Sequence, residues 1–120
     1  MDYQVTIIVP TYNRKAFSLL LLHNINSQSY KSIREVLVAD DGDEPLDMTG
    51  CKYPVKYFKM NRISLGVKRN FLKNCVKSGY VACFDTDDFY HPTHIENAMT
   101  ELAMNGKAVA GSADMLIYNR

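Results

Sequence analysis

Val81-Ala82-Cys83-Phe84, followed at once by Asp85-Thr86-Asp87-Asp88, is the stretch from which the rest of the chain can be read. An unbroken apolar run of this length fits a strand buried on both faces. The acids that follow put three carboxylates within four residues at the carboxyl end of that strand. So dense a negative cluster is unfavourable unless a cation shares it. Hard oxygen ligands suit Mg²⁺ or Mn²⁺, ions usually shared with substrate phosphates rather than caged by protein alone. The expectation is a divalent-metal site serving a phosphorylated ligand.

Upstream, Val5-Thr6-Ile7-Ile8-Val9 is another buried strand, and Pro10 is expected to end it. Residues 15–28 carry Phe17, Leu20, Leu21 and Ile25 at helical spacing. Val36-Leu37-Val38-Ala39 predicts a second strand, which runs into the loop sequence Asp40-Asp41-Gly42-Asp43-Glu44-Pro45. Residues 55–59 predict a third strand. Residues 65–78 predict a helix with Val67, Phe71, Leu72, Cys75 and Val76 inward and Gly79 as its C′ glycine. Residues 80–84 form the fourth strand. Downstream, Pro92 is expected at the first position of a helix that runs to Asn105 and stops at Gly106. Residues 107–111 and 115–118 predict two further short strands.

Strands alternating with helices require crossover connections, so the expected architecture is α/β, one domain over residues 1–120 with a largely parallel sheet covered on both faces. Ligands of such sheets bind outside the carboxyl ends of the strands. Three polar loops fall there: residues 10–14, 40–43 and 85–88. Any one of them alone is an ordinary surface turn. Two acidic clusters at one end of one sheet argue for a site.

Composition narrows the partners. A formal charge of +1 gives no electrostatic case for nucleic acid or a membrane surface. The longest unbroken apolar run, Leu19 to Leu22, is far short of a membrane span, and Met1-Asp2-Tyr3-Gln4 lacks the pattern of a signal peptide. Cys51, Cys75 and Cys83 cannot all pair and show no C-x-x-C spacing. Cys75 and Cys83 are expected as buried thiols, which suits a reducing, cytoplasmic setting. His91 and His94 flank Pro92 without a Cys or His partner set, so they are read as surface histidines.

Four motifs now stand in order: Ile8-Val9-Pro10-Thr11-Tyr12-Asn13-Arg14, Val38-Ala39-Asp40-Asp41-Gly42, Gly66-Val67-Lys68-Arg69-Asn70, and Phe84-Asp85-Thr86-Asp87-Asp88 with Pro92. Over residues 4–115 this ordered set resembles the family 2 glycosyltransferases, which have the GT-A fold, a Rossmann-like donor-binding sheet. The resemblance implies an inverting, Mn²⁺- or Mg²⁺-assisted transfer of a sugar from a nucleotide-diphosphate donor to an acceptor hydroxyl on a glycan, lipid or protein. By the same resemblance, Pro10 and Tyr12 line the base pocket, with the Tyr12 ring packed on the base. Asp41 accepts a hydrogen bond from the base edge. Uracil offers an N3–H there, and leaving it unpaired would cost about 1–3 kcal/mol, so a uridine (or thymidine) donor fits, with a UDP-sugar favoured. Asp40 is structural, and Asp43 and Glu44 are solvated. Arg69 approaches the phosphates or the ribose, with Lys68 and Asn70 as further candidates. Asp85, Asp87 and Asp88 form the metal set: Asp87 toward the ribose, Asp88 or Asp87 toward the ion, Asp85 supporting the turn.

The family's general base lies well downstream of the acidic motif, and no residue here, Asp114 included, is assigned that role. The chain is therefore expected to be the donor-binding half of a larger polypeptide, or to complete its site in an oligomer. A non-catalytic nucleotide or nucleotide-sugar binding module is the alternative. A sugar-phosphate nucleotidyltransferase would want a Gly-rich, Arg-containing loop after the first strand, where this chain has Pro10-Thr11-Tyr12-Asn13-Arg14.

Overall fold

Seven consecutive buried residues make β1 (Val5–Thr11) the central strand of the molecule. The computed structural model describes residues 3–104, 109–110 and 117–119. Around β1 lie β2 (Ile33–Asp40), β3 (Val55–Lys59), β4 (Tyr80–Cys83), β5 (Val109–Ala110) and β6 (Ile117–Asn119), with helices α1 (Ser18–Asn26), α2 (Leu65–Cys75) and α3 (His94–Met99). Among the described residues the strands form one sheet in the order β3-β2-β1-β4-β6-β5. β1 to β4 are mutually parallel, as expected from the crossovers, while β6 runs antiparallel to both β4 and β5.

Each face of the sheet has its own core. Val5, Ile7, Val9, Val36, Val38 and Ala82 pack against Leu21 and Ile25 of α1 and Ile95 and Met99 of α3. Ile8, Leu37, Ala39, Val81 and Cys83 pack against Leu72 and Val76. The neighbours in β1 thus serve opposite faces, as strand geometry requires.

Several boundaries differ from the sequence expectation, each for a physical reason. Pro10 does not end β1, which continues through it to Thr11. Gln4 and Ile8 present their carbonyls to Tyr80 and Phe84, so Pro10 presents its hydrogen-free nitrogen to the same side. β4 has already ended there at Cys83, so no ladder bond is lost. β2 begins at Ile33 rather than Val36, because a register shift lets Ile33 face Val5 and Glu35 face Thr6, leaving Arg34 as the extra residue.

The buried stripe of α1 is also rotated. Ser18, Leu21, Leu22, Asn24 and Ile25 are buried, while Phe17 is 37% exposed and falls in a short 3₁₀ turn ahead of the helix. α2 ends at Cys75, earlier than expected, because Val76 turns extended and inserts its side chain into the second core. Gly79 is consequently no helix C′ residue. On α2 the inward positions are Lys68 and Leu72, whereas Val67 is 53% exposed and Phe71 leans edge-on against Phe58. Ser64 caps this helix, its Oγ accepting from the Val67 N–H. Pro92 lies ahead of α3 in a turn, Thr93 takes the cap position, and a π-helical turn over residues 100–104 continues the helix. Asn105, Gly106, Lys107, Gly111 and Asp114 lie outside the described residues.

Candidate functional site

The strand order reverses at β1: β2 and β3 extend the sheet on one side and β4 on the other. A crevice at the carboxyl ends of the strands forms at such a switch point. All three polar loops singled out in the sequence open there, since β1, β2 and β4 are parallel.

The loops after β1 and β2 are locked to each other. Asn13 adopts a left-handed backbone (φ 50°), which Asn tolerates better than most residues. Its Oδ1 accepts from the Asp43 N–H at 2.6 Å and the Glu44 N–H at 3.0 Å. A β-carbon on Gly42 would stand 2.4 Å from that Oδ1 and 2.7 Å from the Asn13 nitrogen, so only glycine fits against it. Asp40 is structural, as expected. Its Oδ1 accepts from the Gly42 N–H (2.8 Å), and its Oδ2 accepts from the Tyr57 hydroxyl (2.6 Å), which in turn accepts from the Leu46 N–H.

Asp41 is the electrostatic centre of this side. Its fully buried carboxylate receives Lys68 Nζ on Oδ1 at 2.5 Å, and Arg62 and the Ile63 N–H on Oδ2, both at 2.9 Å. Burial alone would raise this carboxyl, but the bonds from Lys68, Ile63 and Arg62 outweigh it and hold the group well below the usual carboxylate range. Lys68 is only 3% exposed and also donates to the Thr11 carbonyl at 3.1 Å. Its ammonium is therefore turned inward to Asp41 instead of standing free for a phosphate. Arg62 does two things at once: besides reaching Asp41, its guanidinium carbon sits 3.7 Å above the centre of the Tyr12 ring.

Two cavities meet at Tyr12. One of about 350 Å³ is lined by Tyr12 and residues 41–43 and 60–62. The other, about 180 Å³, is lined by residues 10–12, Arg14, Leu65, Lys68 and residues 85–87. Pro10, Tyr12, Asp41 and the start of the acidic cluster are thus brought together, with Tyr12 as the common wall. Among the described residues, Thr11 on the wall of the smaller cavity keeps its Oγ1 buried and without a hydrogen-bond partner.

The acidic loop is pinned from behind. The Asp85 N–H donates to the Tyr90 hydroxyl at 2.8 Å, and the Tyr90 ring stacks on Phe84 with centroids 4.2 Å apart. Burial pushes the Tyr90 phenol above its ordinary range, so it stays protonated. Asn24, fully buried on α1, donates to the Asp88 carbonyl (2.7 Å) and accepts from the Tyr90 N–H (3.1 Å). One turn on, Gln28 donates to the His91 carbonyl (3.0 Å) and accepts from the Ile95 N–H (3.1 Å). These two residues were not singled out in the sequence. The available signal is a pair of polar residues, four apart, the first on the apolar stripe of α1 and the second just past its end.

Asp85 Oδ1 lies 4.0 Å from Arg69, which is half-buried beside the cluster; Asp87 and Asn70 are exposed and Asp88 half-buried. Among the described residues no trio of His, Cys, Asp or Glu converges as a metal cage. The donor set nevertheless fits a hard divalent ion in kind, being all oxygen and open on the cavity side, as suits an ion that completes its shell with phosphates and water. His91 is exposed, while His94 is half-buried against the Phe84 and Tyr90 rings instead of lying at the surface. Cys83 is buried as expected, Cys75 only partly so.

The chain is similar to known proteins in sequence and in fold. Residues 6–117 match the family model described as glycosyl transferase family 2. The glycosyltransferase GlyA of Streptococcus pneumoniae is 28% identical over 99% of this chain, which spans 17% of that protein. The Escherichia coli enzyme WfaP, a UDP-Glc:α-D-GlcNAc-diphosphoundecaprenol β-1,3-glucosyltransferase, is 31% identical over 78% of this chain, and 39% of its own length is matched. Among solved structures, the mannosyltransferase PcManGT of Pyrobaculum calidifontis, in complex with GDP-Man and Mn²⁺, superposes with a TM-score of 0.78 at 20% identity, covering 98% of this chain and 44% of that one. Residues 1–349 of S. aureus TarS, in complex with UDP-GlcNAc, give 0.73 at 23% identity, covering 88% and 33%. These structural likenesses establish the GT-A fold. No helix among the described residues is long and apolar enough to cross a membrane.

Proposed function

This chain belongs to glycosyl transferase family 2, and on that premise we propose that it holds the nucleotide-diphosphate sugar donor of a metal-assisted, inverting glycosyltransferase, with a UDP-sugar favoured. The observation that carries the reading is Tyr12 standing between two cavities at one sheet edge, one walled by Asp41 and the other by the acidic loop. A base in the first and a ribose-diphosphate in the second would make one continuous ligand. Asp41 stays ionised, so the first cavity offers a permanent acceptor to a base N–H. Its oxygens have about four lone-pair positions, of which three are used, and Arg62 is the one exposed partner among the three.

On the wall of the second cavity the Thr11 hydroxyl and Asp87 are candidates for the ribose; Arg69, beside Asp85, is a candidate for the phosphates or the ribose, and Asp88 with Asp87 for Mn²⁺ or Mg²⁺. Such an ion, when bound, supplies Lewis-acid stabilisation of the departing diphosphate. Asp85, whose amide is tied to Tyr90, supports the turn. The acceptor's proton is assigned to no residue of this chain. The acceptor is a glycan, lipid or protein hydroxyl, and the unpaired thiols favour a cytoplasmic setting.

Isothermal titrations of UDP with and without Mn²⁺ test the site. Metal should tighten UDP, and Asp88→Ala should remove most of that gain. A UDP affinity indifferent to both ends the metal assignment. UDP should also bind more tightly than GDP or CDP; equal affinities would remove Asp41 from base recognition.

A further inference from the structure

Arg62 makes the two contacts that a bound base is expected to make in the same place. Its flat guanidinium lies 3.7 Å over the Tyr12 ring, and its Nη1 donates to Asp41 Oδ2 at 2.9 Å. A pyrimidine stacked on Tyr12 and donating an N–H to Asp41 would occupy that position. We infer that Arg62 is a built-in occupant of the base slot, a self-ligand that a nucleotide must displace before the donor can seat. The inference rests on the assignment of Tyr12 and Asp41 to the base.

Three features make Arg62 displaceable. Its side chain is 63% exposed, so much of it is already in water. It belongs to a short connection between β3 and α2 with no regular structure at residues 60–64, and the cavity of about 350 Å³ opens beside it. Its departure strands no charge, because Asp41 keeps Lys68 on Oδ1 and the Ile63 N–H on Oδ2. Lys68 could not leave in the same way: it is buried, and it also bonds the Thr11 carbonyl.

The arrangement has a thermodynamic signature. A group that occupies the slot only in the free protein weakens every base by the same factor, so it cancels from the ratio of any two affinities. A group that touches the bound base changes that ratio. Uridine and cytidine are the suitable probes, since neither carries a phosphate whose attraction to Arg62 would confuse the result. Arg62→Ala should tighten both nucleosides by the same factor, about three- to tenfold, the size of an exposed cation–π contact combined with an exposed ion pair. In the unaltered chain raising NaCl from 0.05 to 0.5 M should tighten uridine, because salt screens the Arg62–Asp41 pair; in Arg62→Ala that dependence should vanish. Arg62→Gln, which keeps a planar group without the charge, should fall between the two.

Tyr12→Ala serves as the control and should weaken both nucleosides. If it does and Arg62→Ala leaves uridine unchanged or weaker, or alters the uridine-to-cytidine ratio, self-occupancy is wrong. If Tyr12→Ala has no effect, the base slot itself is misassigned and the inference about Arg62 falls with it.

Discussion

Replacing Lys68 by Met tests whether the buried pair with Asp41 is what holds the crevice in shape. Methionine keeps the length and apolar stem of the lysine but leaves the Asp41 carboxylate without its closest partner. The Lys68 side chain is 4% exposed and that of Asp41 is fully buried, with Nζ and Oδ1 2.5 Å apart. Breaking a buried pair from one side costs about 3–5 kcal/mol. Asp41 retains Arg62 and the Ile63 N–H and lies at the edge of the sheet, so the low end applies, about 3 kcal/mol. In urea that corresponds to a midpoint lower by about 1.5–2 M for a chain of this size. Asp41→Asn should lose a comparable amount. The double variant should lose less than the sum of the two by about 1–3 kcal/mol, because each single change strands the other's charge.

The pH dependence has a defined sign. The folded Asp41 carboxyl lies below its unfolded value, so its contribution is fully present above about pH 3.9 and disappears as the pH falls toward the folded value. Without Lys68 the folded value moves back up, and the two proteins should converge in stability on the acid side of about pH 3.9. A loss below about 1 kcal/mol for Lys68→Met, the range of an exposed pair, would refute the reasoning, as would strict additivity in the double variant.

Two other expectations concern the acidic loop and its neighbour. Asn24→Ala should destabilise the chain by about 2–3 kcal/mol, since it removes the bonds that Asn24 makes to the Asp88 carbonyl and the Tyr90 N–H, and should speed amide exchange at Tyr90 and Asp85; unchanged exchange there would mean that α1 does not hold the loop. Burial lowers the His94 pKa, so the folded state resists its protonation and stability should fall as pH drops below about 6.5 toward the folded value. His94→Phe should flatten that part of the curve, and a slope that persists in unfolding midpoints between pH 7.5 and 5 would point to a different group.

The strands and their shared edge were readable because apolar periodicity survives any tertiary context. β3 falls where it was expected, and Val36 to Ala39 and Val81 to Cys83 lie inside their strands. Lys68 was not readable as an inward residue. A lysine on a helix ordinarily reads as solvated, and Asp41, twenty-seven residues earlier in the chain, with the Thr11 carbonyl, makes its burial favourable. Asn24 and Gln28 were hidden for the same reason, since their partners in the acidic loop and α3 lie beyond residue 87. The ends of α2 and β1 were missed where a local rule yielded to a non-local one: Val76 is pulled into the second core, and Pro10 faces the side that β4 has vacated. Nothing along the sequence announces that Arg62 lies on Tyr12, which depends on two loops folding to the same edge.

The contact between Asn13 and Gly42 separates two properties that binding sites usually entangle. Tyr12 and Asp41, which supply the chemistry, are the chain neighbours of Asn13 and Gly42, which supply none. The gap between the Tyr12 ring and the Asp41 carboxylate is therefore gauged from behind, by how closely two backbones approach where a β-carbon would come within 2.7 Å of the Asn13 nitrogen. The aperture can be reset by a substitution that never meets the ligand. The residues that do meet it can change while the spacing is kept.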